Sequence, residues 1–163
     1  MFHVGEKVVY PMHGAGIVES IEDREVFGMK KRCYIIKMIL GDIRVIIPID
    51  NSEAIGIRRI GSCYDYQKVI EILTGPCIKM DERWSKRFRE NELKLKNGNI
   101  HEIAEIINYL ANMIKCGKLS TGEKKMFSSA YQILISELAL IKNLGYEDME
   151  VDIDKLLNGE RSM

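Results

Sequence analysis

The sequence predicts an α+β protein in which a small all-β domain, residues 1–62, precedes an all-α domain, residues 63–163. Short apolar runs separated by glycine and proline fill the first sixty residues, as they do in strands. From residue 65 onward, apolar side chains recur with the period of a helix. Of the 163 residues, 46% are hydrophobic and 29% charged, a composition typical of globular proteins.

Four strand-like runs follow one another in the N-terminal half. The breaks between them fall at glycine or proline, and Gly41-Asp42 is typical of a two-residue hairpin turn. Together the runs predict a bent antiparallel sheet or partial barrel, and residues 1–60 are expected to be all β. The runs are KVVY, IVESIEDREVF, RCYIIKMIL and IRVIIPI.

Five helices are predicted after a linker at about residues 58–66. Asn99 is a good N-cap, Gly98 suits the position after a helix end, and Ser120-Thr121-Gly122-Glu123 has the pattern of a capping box. The predicted helices are YQKVIEIL, about 81–97, Asn99 to near Gly117, Ser120 to Gly145 with Phe127, Ala130, Tyr131, Leu134, Leu138 and Ile141 buried, and the acidic YEDMEVDIDKLLNG.

Charge and composition narrow the functional classes. The net charge is zero, so any nucleic acid must be bound by a local basic patch. MFHVGEKVVY lacks the pattern of a signal peptide, and no run approaches the ~18 apolar residues of a membrane span. A cytoplasmic protein is therefore expected. Its cysteines are scattered singly and are expected to be reduced: Cys33, Cys63, Cys77 and Cys116.

Motifs for catalysis or cofactor binding are absent from the sequence. GxGxxG, the P-loop and GxSxG do not occur, and TGEKK lacks the Ser or Thr that follows the lysine of a P-loop. His3, His13 and His101 fall at no metal-ligand spacing. We expect neither an enzyme nor a cofactor nor a metal, and an enzyme that uses His13 and Cys33 is the one catalytic alternative.

DERWSKRFRE, residues 81–90, surrounds the only tryptophan with charges. On a helical net Trp84 and Phe88 share one stripe with Asn91 and Leu95, which predicts a buried indole. Seven basic and four acidic residues between positions 79 and 96 predict instead an exposed indole ringed by cations, as a wedge between bases requires. Both interpretations stay open. The candidate DNA-binding cations are Arg83, Lys86, Arg87, Arg89, Lys124 and Lys125.

Three stretches of the sequence resemble the CarD/CdnL family of bacterial transcription regulators over nearly the whole chain. They are FHVGEKVVYPMHGAGIVESIE, WSKRF with the following LKLKNGN, and LSTGEKKMFSSAYQILISELA. The N-terminal half also resembles the RNA-polymerase-interacting module of transcription-repair coupling factor. The resemblance implies a Tudor-like β domain that docks on the β subunit of RNA polymerase, followed by a helical domain that meets promoter DNA.

By the same resemblance, Trp84 enters the minor groove at the upstream edge of the transcription bubble and props it open. Lys86 and Arg87 match the basic residues directly after the family tryptophan, and Lys124 matches the lysine of the EK pair. Phe88 would support the indole from beneath. The indole could then lean on the core with one edge and expose the other.

On the polymerase side, Arg24 matches one family arginine. Some relatives carry a second arginine at the position of Ile46, where this chain has arginine two residues earlier, at Arg44. Residues two apart in a strand share a face, so Arg44 is expected to substitute. The alternative is that both arginines are exposed strand residues that pair with Glu22 or Asp42.

The expected partners are the polymerase β subunit and promoter DNA, the latter bound largely without sequence preference by a monomer. A protein of zero net charge should bind free DNA weakly and lose that binding steeply with salt. The alternative function is an adaptor on RNA polymerase, in which Trp84 belongs to the core and DNA is not touched.

Overall fold

The computed structural model describes residues 1–159 and confirms the predicted α+β class. A five-stranded antiparallel sheet is followed by a helical half, of which residues 160–163 lie outside the described part. Within residues 1–159, no helix is long and apolar enough to cross a membrane. The strands are β1 Lys7–Tyr10, β2 Gly14–Val26, β3 Met29–Met38, β4 Arg44–Pro48 and β5 Arg58–Arg59; the helices are α1 Ile49–Ile55, α2 Cys63–Thr74, α3 Trp84–Asn97, α4 Ile100–Lys115, α5 Thr121–Lys142 and α6 Tyr146–Leu157.

The strands pair in the order β4-β3-β2-β1-β5, which confirms the predicted antiparallel hairpins. β2 and β3 form a long hairpin whose turn, Phe27-Gly28, has positive φ at both residues, as a type I′ turn requires. A register shift between Val18 and Ser20 interrupts this pairing, and such bulges increase the local twist of a sheet. One face of the sheet carries its core: Val8, Val18, Tyr34, Ile36, Met38, Ile47 and Ile57.

The prediction that residues 1–60 are all β was wrong in two places. The fourth strand ends at Pro48, and α1 follows until Gly56, whose left-handed φ of 89° ends the helix. The isoleucines at the two ends of α1 pack against the sheet core, and the first of them continues the apolar run of the preceding strand. The predicted two-residue Gly41-Asp42 turn belongs to a 3-10 turn, Leu40–Asp42.

Helices α2 to α6 surround a second core centred on α4 and α5, which confirms the all-α character of the C-terminal half. α2 begins with a complete capping box formed by Ser62 and Asp65, within the segment predicted to be a linker. α5 is the longest helix, with 22 residues, and spans about 33 Å. Because it runs through the middle of the second core, α5 can reach both the other helices and the sheet.

The two halves pack directly on each other through α5. Val9, Ala15 and Leu140 form a small apolar cluster between the sheet and this helix. In the same contact the backbone N–H of Ala15 donates to Ser136 Oγ at 2.9 Å, and Lys7 Nζ donates to the carbonyl oxygen of Leu140 at 2.9 Å. The sheet therefore has a defined position relative to the helices.

We expect Gly16→Ser to lower the free energy of unfolding by about 1–3 kcal/mol, the usual cost of overpacking. A Cβ at Gly16 would lie 2.7 Å from the carbonyl oxygen of Lys37, and that oxygen is held in the β2–β3 ladder. Gly145→Ser is the matched control, because its Cβ would meet only Asp148 Oδ2 at 3.6 Å. Urea unfolding followed by circular dichroism measures both. Equal midpoints would contradict the packing argument.

Candidate functional site

Trp84 is the first residue of α3, and 46% of its surface is exposed. Its ring stacks on Phe88, with centroids 5.0 Å apart and planes inclined by 18°. The indole Nε1–H donates to Ser120 Oγ at 2.9 Å. The indole is thus supported on one side and open to solvent on the other, so the interpretation of a fully buried core residue was wrong.

The start of α5 approaches both rings closely because residue 122 is glycine. A Cβ at Gly122 would lie 3.4 Å from Phe88 Cε2 and 3.8 Å from Trp84 Cζ2. Ser120 caps α5 by accepting from the backbone N–H of Glu123. The predicted capping box is therefore only half formed, since the Glu123 side chain turns elsewhere.

Glu123 is 1% exposed and forms a two-pronged ion pair with Arg87. The distances are 2.9 Å from Arg87 Nε to Oε2 and 3.0 Å from Nη2 to Oε1. The remaining nitrogen, Nη1, donates to the carbonyl oxygens of Asp81 and Glu82, and the guanidinium lies 5.4 Å from the ring centre of Tyr109. Glu123 raises the pKa of Arg87. Arg87, predicted to contact DNA, is directed inward and ties α3 to α5 below the indole.

The other predicted cations are exposed on α3, at its N-cap and at the start of α5. Arg83 and Lys86 are both paired with Asp81, at 3.1 Å and 3.4 Å, and Lys86 is also 3.8 Å from Glu90. The Arg83 guanidinium is the main reason that the pKa of Asp81 is well below its usual range. Within the described residues, no carboxylate lies within 4 Å of the three remaining exposed cations, Arg89, Lys124 and Lys125.

A second candidate surface lies on the sheet, at and near its edge strand β4. Arg44 and Ile46 stand opposite Lys37 and Ile35, and strand periodicity places both side chains on one face. Arg24 of β2 stands opposite Lys31 of β3. Lys31 is an even number of residues from Ile35 and Lys37, so Arg24 shares that face. This confirms the predicted common orientation of Arg44 and Ile46, and Ile46 is 48% exposed.

Both arginines of this face are engaged by neighbouring glutamates. Arg44 binds Glu19 through Nε at 2.6 Å and Nη2 at 3.0 Å, which raises the pKa of Arg44 and lowers that of Glu19. Arg24 Nη2 lies 3.2 Å from Glu22 Oε2, as one alternative predicted. The pairing of Arg44 with Asp42 is not formed: Arg44 binds Glu19, and Asp42 lies 3.8 Å from Lys37 Nζ instead.

Comparison with known proteins matches both halves of the chain. Residues 2–61 match the model of the CarD-like/TRCF RID domain, and residues 68–154 match the C-terminal domain of CarD. A relative from Bacillus subtilis (strain 168), named "Putative transcription factor YdeB", is 37% identical over 144 residues, or 88% of this chain and 94% of the relative. The chain belongs to the CarD family of transcription factors.

The CarD assignment agrees with the resemblance noted in the sequence, and the β half is the Tudor-like module of this family. The two family matches cover the two candidate surfaces separately. Arg24, Arg44 and Ile46 fall within the RID match, whereas Trp84 and the predicted DNA-binding cations fall within the C-terminal match. The family thus supplies one module for each surface.

The enzymatic alternative gains no support from the geometry of this CarD-family chain. Cys33 is fully buried and its thiol donates to the carbonyl of Lys31, while His13 is exposed and packs on Tyr10. No hydrogen bond joins the two among residues 1–159, and no cluster of three or more potential metal ligands occurs there. The other three free cysteines are exposed: Cys63, Cys77 and Cys116.

The sequence analysis missed the residues that hold the CarD-family surfaces in place. Ser120 and Glu123 were interpreted only as helix caps, and Arg58 only as part of a linker. Glu137 was not considered, although it is the one acid within the apolar run ILISELAL of α5. A carboxylate at such a position requires a partner, and that was the available signal.

We expect Glu123→Gln to lower the free energy of unfolding by about 3–5 kcal/mol, the usual cost of removing one partner of a buried ion pair. The variant leaves Arg87 partly buried without its counter-charge, so the indole above it should become more mobile. Urea unfolding and the fluorescence anisotropy of Trp84, the only tryptophan, measure the two effects.

Glu90→Gln is the control for this variant, because Glu90 is half exposed and its one ion pair, with Lys86, is long at 3.8 Å. It should leave the unfolding midpoint and the anisotropy unchanged. If both variants behave like the wild type, Arg87 and Glu123 do not support the indole.

Proposed function

We propose that this CarD-family protein is a non-enzymatic regulator of transcription that acts on the bacterial chromosome. It binds the β subunit of RNA polymerase through the sheet and stabilises the open promoter with Trp84 at the upstream edge of the bubble. The observation that carries this proposal is the indole itself, stacked on Phe88 and half exposed, on a helix whose surface also carries Lys86 and Arg89. The arginines of the sheet lie on a separate module, so both contacts can coexist.

The edge of a melted promoter suits a wedge better than duplex DNA does. Separating an intact base step costs a few kcal/mol, and at a bubble edge the neighbouring step is already open. An aromatic ring stacked on an exposed base contributes ~1–3 kcal/mol. Arg83, Lys86, Arg89, Lys124 and Lys125 would contact phosphates on either side, and the latter two add their charge to the N-terminal amides of α5.

Arg87 has a supporting task in this mechanism. Its four described hydrogen bonds are all made to protein groups and occupy four of the five guanidinium N–H donors. By fixing the start of α3 on α5, it keeps the indole from folding away when a base presses on it. A wedge must be rigid, because a mobile ring would lose conformational entropy on insertion.

On the polymerase side, Arg24, Arg44 and Ile46 form the proposed docking face. Arg44 substitutes for the arginine that some relatives carry at the position of Ile46, and its two-residue displacement keeps it on the same face. Ile46 adds an exposed apolar contact between the arginines. Glu19 holds the Arg44 guanidinium extended across the strands, where it can also pair with an acidic group on the partner.

The two contacts cooperate through tethering. With zero net charge the protein binds free DNA weakly, but once docked on polymerase its helices meet the promoter at an effective concentration on the order of mM. Because the indole prefers separated bases, binding shifts the promoter toward its melted form.

Trp84→Ala should shorten the lifetime of the open complex about 5-fold to 150-fold, since about 1–3 kcal/mol of stacking is lost. Polymerase affinity should not change. In the wild-type protein, Trp84 emission should be quenched by forked promoter DNA and remain unaffected by duplex. The lifetime is measured as transcription that survives addition of a DNA competitor, and the emission is measured by fluorescence titration.

Tyr64→Ala is the control for Trp84→Ala, because Tyr64 is also an exposed aromatic, 68% exposed, outside the proposed contact. It should retain the wild-type lifetime. An unchanged lifetime in Trp84→Ala, together with emission that ignores forked DNA, would favour the adaptor that never touches DNA.

Arg44→Glu should weaken binding to the isolated polymerase β subunit at least about tenfold, because it reverses one of the two arginine charges of the docking face. Weak binding to DNA should be retained. Arg32→Glu is the matched control, since Arg32 lies on the neighbouring strand with the opposite parity and pairs with Asp23. Surface plasmon resonance measures both, and equal affinities would refute the docking face.

A further inference from the structure

Arg58, in the edge strand β5, is bound to two helices at once. Its Nη1 and Nη2 donate to Glu137 on α5 at 2.9 Å and 2.8 Å. Its Nε and Nη2 also donate to the carbonyl oxygen of Gly98, the C-cap of α3, at 3.2 Å and 2.7 Å. One guanidinium therefore connects the sheet to the helix that carries Trp84 and to the helix beside it.

Glu137 is a buried carboxylate whose partners all come from the other half of the chain. It is 1% exposed and accepts, besides Arg58, the backbone N–H of Gly61 at 2.8 Å. A carboxylate that has left water requires its counter-charge and hydrogen bonds, so the sheet cannot move away without leaving Glu137 unpaired. This contact adds to the apolar cluster and to the hydrogen bonds of Ala15 and Lys7 with α5, and it is the one that also reaches the end of α3.

The helix between this contact and the indole acts as a lever. Gly98 ends α3 and Trp84 begins it, 14 residues or about 20 Å away. Arg87 and Glu123 tie the two helices together at the indole end, and Arg58 and Glu137 tie them to the sheet at the other end. A rotation of about 10° at Arg58 would displace the indole by about 3–4 Å, the rise of one base step.

We propose that the pair of Arg58 and Glu137 is a positioning device that sets the offset between the docking face of the sheet and Trp84. This inference rests on the proposed function and extends it. The pair touches neither polymerase nor DNA; it allows both contacts to be made at once. Tethered binding gains strength only where geometry permits simultaneous engagement, so a loosened angle costs the coupling and spares the separate contacts.

The test is Glu137→Gln, with Glu147→Gln on the exposed face of α6 as the control. Binding to the isolated β subunit and to forked DNA should each remain within about twofold of the wild type, whereas the open-complex lifetime should fall at least about fivefold, the lower limit of ordinary coupling between sites. Small-angle X-ray scattering of the full chain should show a broader distance distribution for Glu137→Gln only.

Arg58→Lys provides a second variant should Glu137→Gln unfold in circular dichroism. Lysine keeps the charge but cannot reach both oxygens of Glu137 and the carbonyl of Gly98 together. It should show the same pattern to a smaller degree. Normal separate affinities with a wild-type lifetime would overturn the inference, and so would equal losses in all three measurements, which indicate a purely structural role.

A different result would refute the proposed function. If wild-type protein neither binds the β subunit nor prolongs the open complex, the function is wrong irrespective of Arg58. If the wild type does both and the variants match it, only the positioning role is wrong.

Discussion

Two buried carboxylates on one helix determine how the rest of the molecule is arranged. Glu123 and Glu137 stand fourteen residues apart on α5, both 1% exposed, and each is bound by an arginine from another element. Arg87 brings α3 to one end, and Arg58 brings the sheet to the other. Neither carboxylate tolerates separation from its cation, because an unpaired buried charge is among the costliest defects in a protein interior. α5 thereby serves as a common support for both surfaces.

Some residues hold the candidate surfaces in place, and other residues are exposed on those surfaces. Arg87 and Phe88 lie beneath the indole, whereas Arg83, Lys86 and Arg89 remain at the surface of the same helix. On the sheet, Glu19 and Glu22 hold arginine side chains in place without burying them. Such division lets a surface be organised before its partner arrives, so little conformational entropy remains to be lost on binding.

Much of the fold could be predicted because it depends on local signals. Glycine and proline mark the strand ends, Asn99 and Ser120 mark helix starts, and the change from strand to helix period separates the halves. The indole could be found from its charged setting. Phe88 could be found on the same helical stripe, but Arg87 and Glu123 could not, because Arg87 resembles the neighbouring surface cations and finds Glu123 only across 36 residues. The pairing of Arg58 with Glu137, 79 residues apart, is likewise invisible to periodicity.

The hydrogen bond from the indole to Ser120 has a consequence for selectivity. With Nε1–H already committed, the exposed part of the ring presents carbon edges and a π face, and neither distinguishes an acceptor on thymine from one on adenine. In the proposed function, such a ring does not distinguish one base from another. Discrimination between promoters would then come from the DNA strand separation itself.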